Sequence, residues 1–317
     1  MIQELLYTSH KGKGLRPGSG GGFCTVVCTQ GMPVNVVRRL EQLSGYKHPF
    51  DIHDPRSSKN PVNYRSMPLV LGGTSYVILS RVADVRGEHT GRSNKLAHHV
   101  ILSDDEFVDA GPADVLGQPG AVCQHWDGEV KEVLPRRSLS ISGTQSGPCV
   151  AWKKVAGDSG WAGVVAEALA AKPSGNAARV IFPLGTDCLP LCREVYSLTA
   201  PSKRWKVSFS TYATESTSPC HLNFVLDGTR EATMARKDPR RLVVDLCKEL
   251  GNADSSDFVN AARSGDIEEL HEKYGGRMKR RRPIAKPRSR AQNPKSEEYG
   301  LVTVSYTHLT LPTICSV

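Results

Sequence analysis

The strongest constraint on the fold is an alternation, along most of the chain, between β-branched stretches and stretches whose apolar residues recur at helical spacing. In the first half, residues 2–9, 23–29, 74–83 and 96–103 have the composition of strands. Between the second and third of these, residues 33–45 open on a proline and carry apolar residues on one helical face. The first half is therefore predicted to combine a sheet with a helix.

The second half repeats this alternation with shorter strands. The predicted helices are residues 161–171, 189–198, 257–263 and 266–274, and the predicted strands are residues 179–184, 205–212, 221–226 and 241–246. Strands separated by helical patterns are typical of layered proteins that contain both elements. The predicted fold class is α/β (α+β), with two mixed sheet-and-helix domains followed by a disordered basic linker.

The size of the chain fits two globular units, at roughly 100 to 200 residues per domain. We predict an N-terminal domain over residues 1–137 and a second α/β domain over residues 149–275. Residues 138–148, rich in Ser and Gly, form the predicted linker between them. Within the first domain, carboxylates at Asp104 and Asp105 suit the start of a short helix.

The formal net charge of +9 is concentrated in one segment. Residues 277–290 contain eight Arg and Lys side chains and no acidic one, so the remainder of the chain is nearly neutral. Residues 276–300 are therefore predicted to be a basic disordered linker. Binding of nucleic acid or of an anionic membrane through residues 277–290 is one hypothesis, and a simple solvated linker is the other.

Residues 304–313, with the sequence VSYTHLTLPT, resemble a translated sequencing adapter. We interpret residues 301–317 as an artefact of that origin and exclude them from the fold. The natural protein is then expected to continue after residue 300, which makes this chain an N-terminal fragment. A membrane anchor in the missing C-terminal region is a further hypothesis, because the basic segment would fix its cytoplasmic side.

The segment that leads into the fourth predicted strand is the main candidate for a ligand or interaction site. It comprises Arg92, Asn94, Lys95, His98 and His99. A histidine can exchange a proton near neutral pH, and a neighbouring Arg or Lys can bind an anion. Strand alternation places the two histidines on opposite faces, so a single site cannot use both without a bulge. The alternative is a structural, hydrogen-bonded role.

A glycine-rich segment near the N-terminus is a second candidate, for anion binding. Its residues are Lys13, Arg16, Gly20, Gly21 and Gly22. Backbone N–H groups of glycine-rich loops can surround phosphates. The segment lacks the GxxxxGK[ST] order and leads into a strand, whereas a P-loop leads into a helix. An ordinary flexible connection is the competing interpretation.

Several recognisable forms of chemistry are not indicated. The sequence contains no GxSxG or HExxH motif, which shifts the balance towards a binding role. The pairs Cys24/Cys28 and Cys188/Cys192 have C-x3-C spacing without the tight turns that zinc sites use, so we predict no metal and no cofactor. Scattered cysteines and the lack of a signal peptide predict a cytoplasmic location, with membrane association possible in the full-length protein.

The motifs of the first half resemble a known family. ELLYTS, GLRPGSGGGFCTVVCTQGMP, LEQLSGY, NPVNY, LSRVAD and GRSNKLAHHVIL together are similar to the N-terminal domain of bacterial GTPase-associated protein 1. The similarity covers roughly residues 1–135. It implies a component of a bacterial conflict or signalling system, and it assigns no catalytic residues.

We therefore predict a non-enzymatic recognition or scaffolding module with protein partners, a GTPase among them. The alternative is an enzyme that acts on a nucleotide or another anionic substrate through residues 92–99. Convergence of Arg92, Asn94, Lys95 and one histidine in a concave pocket would favour the enzyme. Hydrogen bonding of these groups within the fold would favour the binding module.

Overall fold

One continuous β-sheet runs through the part of the chain that the computed structural model describes. That part comprises residues 1–16, 18, 21–71, 73–85, 91–108, 110–136, 147–171, 177–215, 217 and 219–275. Gly20, most of the predicted interdomain linker, and everything after residue 275 lie outside the described residues. The predictions for the basic segment and for residues 301–317 therefore stay predictions.

The first part of the chain contributes most of the antiparallel strands. Its elements are β1 (Gln3–His10), β2 (Gly22–Thr29), α1 (Val34–Leu43), β3 (Asn63–Leu71), β4 (Thr74–Val85), β5 (Asn94–Leu102), α2 (Pro112–Leu116) and β6 (Lys131–Val133). A short 3-10 turn over Asp104–Glu106 stands where a helix start is predicted.

The second part of the chain is richer in helices. Its elements are α3 (Val150–Ala156), α4 (Gly160–Ala171), β7 (Ala178–Phe182), α5 (Leu189–Ser197), α6 (Pro201–Arg204), β8 (Phe209–Ser210), β9 (Leu222–Leu226), α7 (Arg230–Arg236), β10 (Leu242–Asp245), α8 (Asp257–Ser264) and α9 (Glu268–Gly275).

The ten described strands lie in the order β10-β7-β9-β8-β3-β4-β5-β1-β2-β6. Strands β1 to β5 pair antiparallel with one another, whereas β2 pairs parallel with the short strand β6. Strands β7 to β10 pair parallel with each other. Parallel strands need crossover connections, which α5 and α7 supply. The mixed α/β fold predicted from the sequence is confirmed.

The two parts of the sheet meet where β3 pairs antiparallel with β8. Buried Asn63 fixes this junction, because its Oδ1 accepts hydrogen bonds from Ser210 Oγ at 2.9 Å and from the Tyr212 backbone N at 3.2 Å. Thr211 adds a second link: its Oγ1 accepts from the Tyr64 backbone N at 2.7 Å and donates to Val62 O at 3.0 Å. The same sheet thus continues across the predicted boundary at residues 138–148, and the division into two domains stays a prediction.

The main hydrophobic core lies under the parallel strands and continues beneath β4 and β5. Trp152, Tyr196, Phe182, Phe209 and Phe224 are its largest fully buried side chains. Burial of aromatic side chains on this scale supplies much of the hydrophobic stabilisation of a core.

A separate core lies on the face of the antiparallel strands that α1 covers. The apolar face of α1, which includes Val36 and Leu40, packs there against Leu5, Ile78 and Ile101. Helices therefore cover the sheet on more than one side.

The strand predicted over residues 205–212 is wrong for most of its length. Helix α6 ends at Arg204, a turn and irregular backbone follow up to residue 208, and only Phe209 and Ser210 form a strand. Pro201 begins the helix, where a proline N–H is not needed, and the Trp205 ring stacks on Phe107 with ring centroids 4.6 Å apart. The apolar alternation here reflects packing of a turn.

Strand β3 is not among the strands predicted from the sequence, and it contains Pro68. In the structure β8 pairs with Arg65 and Ser66, so no described strand pairs with that edge of β3 at Pro68. A proline is tolerated at such an edge position.

Candidate functional site

Strand β5 carries the predicted ligand residues into the middle of the antiparallel part of the sheet. It pairs with β1 on one side and with β4 on the other. His98 and His99 point to opposite faces of the sheet, and both side chains are 0% exposed. Neither imidazole can therefore reach a ligand in solution without rearrangement of the core.

His98 lies in a polar cluster with Glu4. Its Nδ1 accepts a hydrogen bond from the Cys123 backbone N at 2.8 Å, so its Nε2 carries the hydrogen and donates to Glu4 Oε2 at 3.1 Å. Arg136 forms an ion pair with the same carboxylate. Burial lowers the pKa of His98 although the nearby Glu4 opposes the shift. His98 is therefore a neutral side chain with a structural role, and it holds the backbone at Cys123 in place.

His99 bridges two serines on the other face. Ser44 Oγ donates its hydrogen to Leu40 O at 3.0 Å, so His99 Nε2 donates to Ser44 Oγ at 2.9 Å. His99 Nδ1 then accepts from Ser80 Oγ at 2.7 Å. Burial away from water lowers the pKa of His99 to about 3. Both ring nitrogens are engaged in linking the end of α1 to β4.

Asn94 is also engaged within the fold. Its Oδ1 accepts hydrogen bonds from the Ser9 backbone N at 3.2 Å and from the Lys95 backbone N at 2.7 Å. Ser93 Oγ accepts from the Ile52 backbone N at 3.1 Å. These bonds fix the start of β5 to its neighbours, while the Arg92 side chain is exposed.

Lys95 is a candidate cation beside an exposed aromatic ring. Its Nζ lies 4.9 Å from the centroid of the Phe23 ring, within cation–π range. Partial burial lowers the pKa of Lys95, and its ammonium forms no ion pair with the described residues. Phe23 is 46% exposed and stacks on Tyr7 with ring centroids 6.0 Å apart. A half-buried cation beside an exposed ring can bind an anionic or aromatic group.

Part of the glycine-rich segment is fixed to the sheet. The Leu15 backbone N donates to Thr25 O at 2.9 Å, and a Cβ on Gly14 would lie 2.7 Å from the Cys24 Cβ. Arg16 forms an ion pair with Glu41 of α1, whose carboxylate also accepts from Thr25 Oγ1 at 2.8 Å.

The other residues predicted for this segment have different surroundings. Lys13 and Gly21 are exposed, and Gly22 has a φ of +122°, a value that favours glycine at the start of β2. Gly20 lies outside the described residues.

The two predicted loops therefore meet at one end of the neighbouring strands β5, β1 and β2. Gly22 pairs with His10 at the end of β1, and Asn94 bonds to Ser9 on the other side of that strand. Phe23 and Lys95 are the point of contact. We call Phe23, Lys95, Tyr7 and Arg16 the Phe23–Lys95 edge. The histidines do not contribute to it.

Charged residues at the ends of the parallel strands were not singled out from the sequence. Asp227 follows β9, Asp245 ends β10, and Arg236 of α7 joins them: its Nη2 lies 2.8 Å from Asp227 Oδ1 and its Nε lies 2.8 Å from Asp245 Oδ2. The ends of parallel strands commonly hold ligands. An aspartate directly after an apolar run was the available signal, but here both carboxylates are paired with the same guanidinium.

The predicted cysteine pairs are buried. Burial raises the pKa of Cys24 and holds the pKa of Cys188 and Cys192 well above its usual value, while the Cys28 thiol has its pKa raised to about 11. Thiols of this kind are inert small hydrophobes. In the described ranges, no group of three or more His, Cys, Asp or Glu side chains is placed to hold a metal ion.

The protein is thus a mixed α/β protein. Buried polar side chains form hydrogen bonds between its strands, and the Phe23–Lys95 edge presents an exposed aromatic ring and a cation. A model of the GTPase-associated protein 1 N-terminal domain, type 2, matches residues 1–139, and a model of the GTPase-associated protein 1 middle domain matches residues 149–248. The chain belongs to the GTPase-associated protein 1 family.

Two other comparisons add no relative, since no curated protein and no solved structure matches the chain. Among the described helices, none has both the length and the apolar character needed to cross a bilayer.

Proposed function

We propose that the chain is a non-enzymatic recognition or scaffolding module of a bacterial GTPase-associated conflict or signalling system. The observation that carries this proposal is the burial and the hydrogen bonding of His98 and His99. The two side chains are buried on opposite faces of the sheet, and all four ring nitrogens form hydrogen bonds with other residues of the fold. A general acid or base must reach the proton that it transfers. These histidines instead act as internal links.

The motifs that distinguish the first half support the same proposal. Asn60 Nδ2 donates to Phe50 O at 2.9 Å and to Asp84 Oδ2 at 3.2 Å, while Asn63 fixes the junction with β8. Asn94 ties β5 to β1. These polar side chains are engaged in hydrogen bonds within the fold. The alternative of an enzyme acting through residues 92–99 receives correspondingly less support.

The surface proposed for recognition is the Phe23–Lys95 edge. Exposed aromatic side chains contribute strongly to protein interfaces, and a partly desolvated cation gains from pairing with an acidic group. The partner suggested by the family name is a GTPase, and a cytoplasmic location would be consistent with that partner.

The proposal is tested by a calorimetric titration of the purified chain with the GTPase of the same system. The GTPase is used in its GDP-bound and in its GTP-analogue-bound state, and the affinity is measured for each. We expect saturable binding that weakens by roughly tenfold or more in Phe23→Ala and Lys95→Gln. The matched controls are Val70→Ala, another exposed apolar residue on a strand, and Lys59→Gln. Equal loss in controls and test variants would contradict a role for this edge.

The enzyme alternative is tested in parallel. The chain alone is incubated with GTP and ATP, and product is measured for the wild type and for His98→Gln. We expect no turnover above the buffer rate. Turnover that is abolished by His98→Gln, with the fold retained, would replace the recognition proposal by the enzyme.

The role of the basic segment is a separate part of the proposal. Binding of nucleic acid or anionic vesicles through residues 277–290 should fall steeply with salt and vanish when the residues after 276 are removed. Binding that survives this deletion would show that residues 1–276 carry it.

A further inference from the structure

A cavity of about 330 Å³ lies among helices α4, α6, α8 and α9, away from the Phe23–Lys95 edge. Its walls are mainly apolar and include Leu169, Leu198, Val207, Phe258 and Tyr274. Small-molecule sites typically have volumes of about 300 to 1,000 Å³ with mostly apolar walls. The volume of this cavity is at the lower end of that range, and its walls are likewise mainly apolar.

The apolar walls are held by the surrounding packing. Leu169 and Phe258 are each 3% exposed, and the Phe258 ring lies 4.8 Å from the Tyr274 ring, centroid to centroid. Tyr274 is fixed in turn, since its hydroxyl donates to Asp257 Oδ2 at 3.0 Å. A cavity with walls fixed in this way is formed before any ligand arrives, which lowers the entropic cost of binding.

Two lysines, Lys203 and Lys206, are among the residues that line the cavity. Lys203 Nζ donates to Tyr274 O at 2.7 Å, and Lys206 lies three residues further along, exposed and without an ion pair to any described residue. The acidic side chain of α4 nearest in sequence to Leu169, Glu167, does not line the cavity and accepts a hydrogen bond from Ser256 Oγ at 2.8 Å. Lys206 is therefore available to an incoming anion.

We propose that this cavity binds an amphiphile with an apolar body and an anionic head group, of which a medium-chain carboxylate is the simplest form. At about 30 Å³ for a water-sized group, the cavity has room for roughly ten heavy atoms. The apolar walls take the chain and Lys206 pairs with the head group. The chain's own continuation is a poor occupant, because residues 277–290 carry eight basic side chains.

The test is a calorimetric titration of the full chain with sodium decanoate below its micellar concentration, with decanol as the uncharged probe. We expect saturable binding of one decanoate per chain, and binding weaker by roughly tenfold for decanol and for Lys206→Gln. Lys237→Gln is the matched control, since Lys237 is an exposed lysine that follows the last residue of α7 and does not line the cavity.

A second variant separates the cavity from binding elsewhere. Ala170 is exposed and lines the cavity, so Ala170→Trp should block it without disturbing the core. Loss of decanoate binding in Ala170→Trp, with an unchanged melting temperature, supports the site. Binding that persists in this variant would assign decanoate to another surface, such as the basic segment, and would overturn the proposal. No saturable binding to the wild type would overturn it as well.

Discussion

The two parts of the sheet use polar side chains in different places. In the antiparallel part they lie inside, where His98, His99 and Asn63 link strands to one another. In the parallel part β7 and β9 are almost wholly apolar, and the charged Asp227 and Asp245 lie at the strand ends. Parallel strands are usually covered on both faces and consist mainly of apolar residues. The buried polar side chains of the first part therefore contribute to the assembly of the sheet.

The largest effect expected from this difference is in His99→Ala. The substitution removes a fully buried ring and leaves the hydroxyl of Ser80 without its acceptor. Cavity formation and loss of buried hydrogen bonds together should lower the free energy of unfolding by about 3 kcal/mol. Denaturant unfolding followed by circular dichroism gives this value.

The control for His99→Ala is His53→Ala, because His53 is exposed. It should change the free energy of unfolding by less than about 0.5 kcal/mol. Similar effects of the two substitutions would mean that the buried histidine link does not stabilise the antiparallel part.

Acidification should lower the free energy of unfolding through the same histidine, His99. The pKa of His99 is about 3 in the folded chain, below the ordinary value of about 6.5 for an unfolded one, so the unfolded state takes up the proton first. Stability is therefore complete above pH 6.5 and falls as the pH drops towards 3, by at most about 1.4 kcal/mol per pH unit for this group.

Denaturant midpoints measured between pH 7 and pH 5 test this dependence. Burial lowers the pKa of His98 and His271 as well, so they act in the same direction. His99→Gln should remove only part of the slope. An unchanged slope in His99→Gln would show that His99 is protonated equally in both states, contrary to its burial.

Substitution at the junction of the two parts should have an intermediate effect. Asn63→Ala removes the acceptor of Ser210 Oγ and of the Tyr212 backbone N. Loss of these buried bonds should lower the free energy of unfolding by about 1–3 kcal/mol. It should also weaken the coupling between the two parts of the sheet, since β8 is the strand that joins them.

Two probes distinguish these consequences. Trp152 lies in the core of the second part and Trp126 packs near β2, so single-tryptophan variants report on each part separately. We expect coincident unfolding in the wild type and separate transitions in Asn63→Ala. Separate transitions already in the wild type would contradict one cooperative sheet and would support independent domains.

The sequence predicted the elements better than it predicted their partners. The period of Val36, Val37, Leu40 and Leu43 was enough to place α1, because a helical face is a local property. The bonds of His99 to Ser44 and Ser80 depend on the strand register and on residues 55 and 19 positions away. Local periodicity carries no information on such distances.

The candidate site shows the same limit. Strand alternation indicates that His98 and His99 point to opposite faces, as they do in the structure. That Lys95 lies over Phe23 depends on both residues flanking β1 in space, although they are 72 positions apart in the chain. Only the order of β5, β1 and β2 in the sheet brings them together.

The smallest effect is expected where the parallel strands end. Arg236 is about one-third exposed and bridges Asp227 and Asp245, so solvent screens these ion pairs. Arg236→Ala should lower the free energy of unfolding by less than about 1 kcal/mol, and the loss should shrink further in 1 M salt. Thermal unfolding at low and high salt measures both. A loss as large as that of His99→Ala would erase the contrast between the two parts, because an exposed charge cluster would then stabilise the sheet as strongly as a buried one.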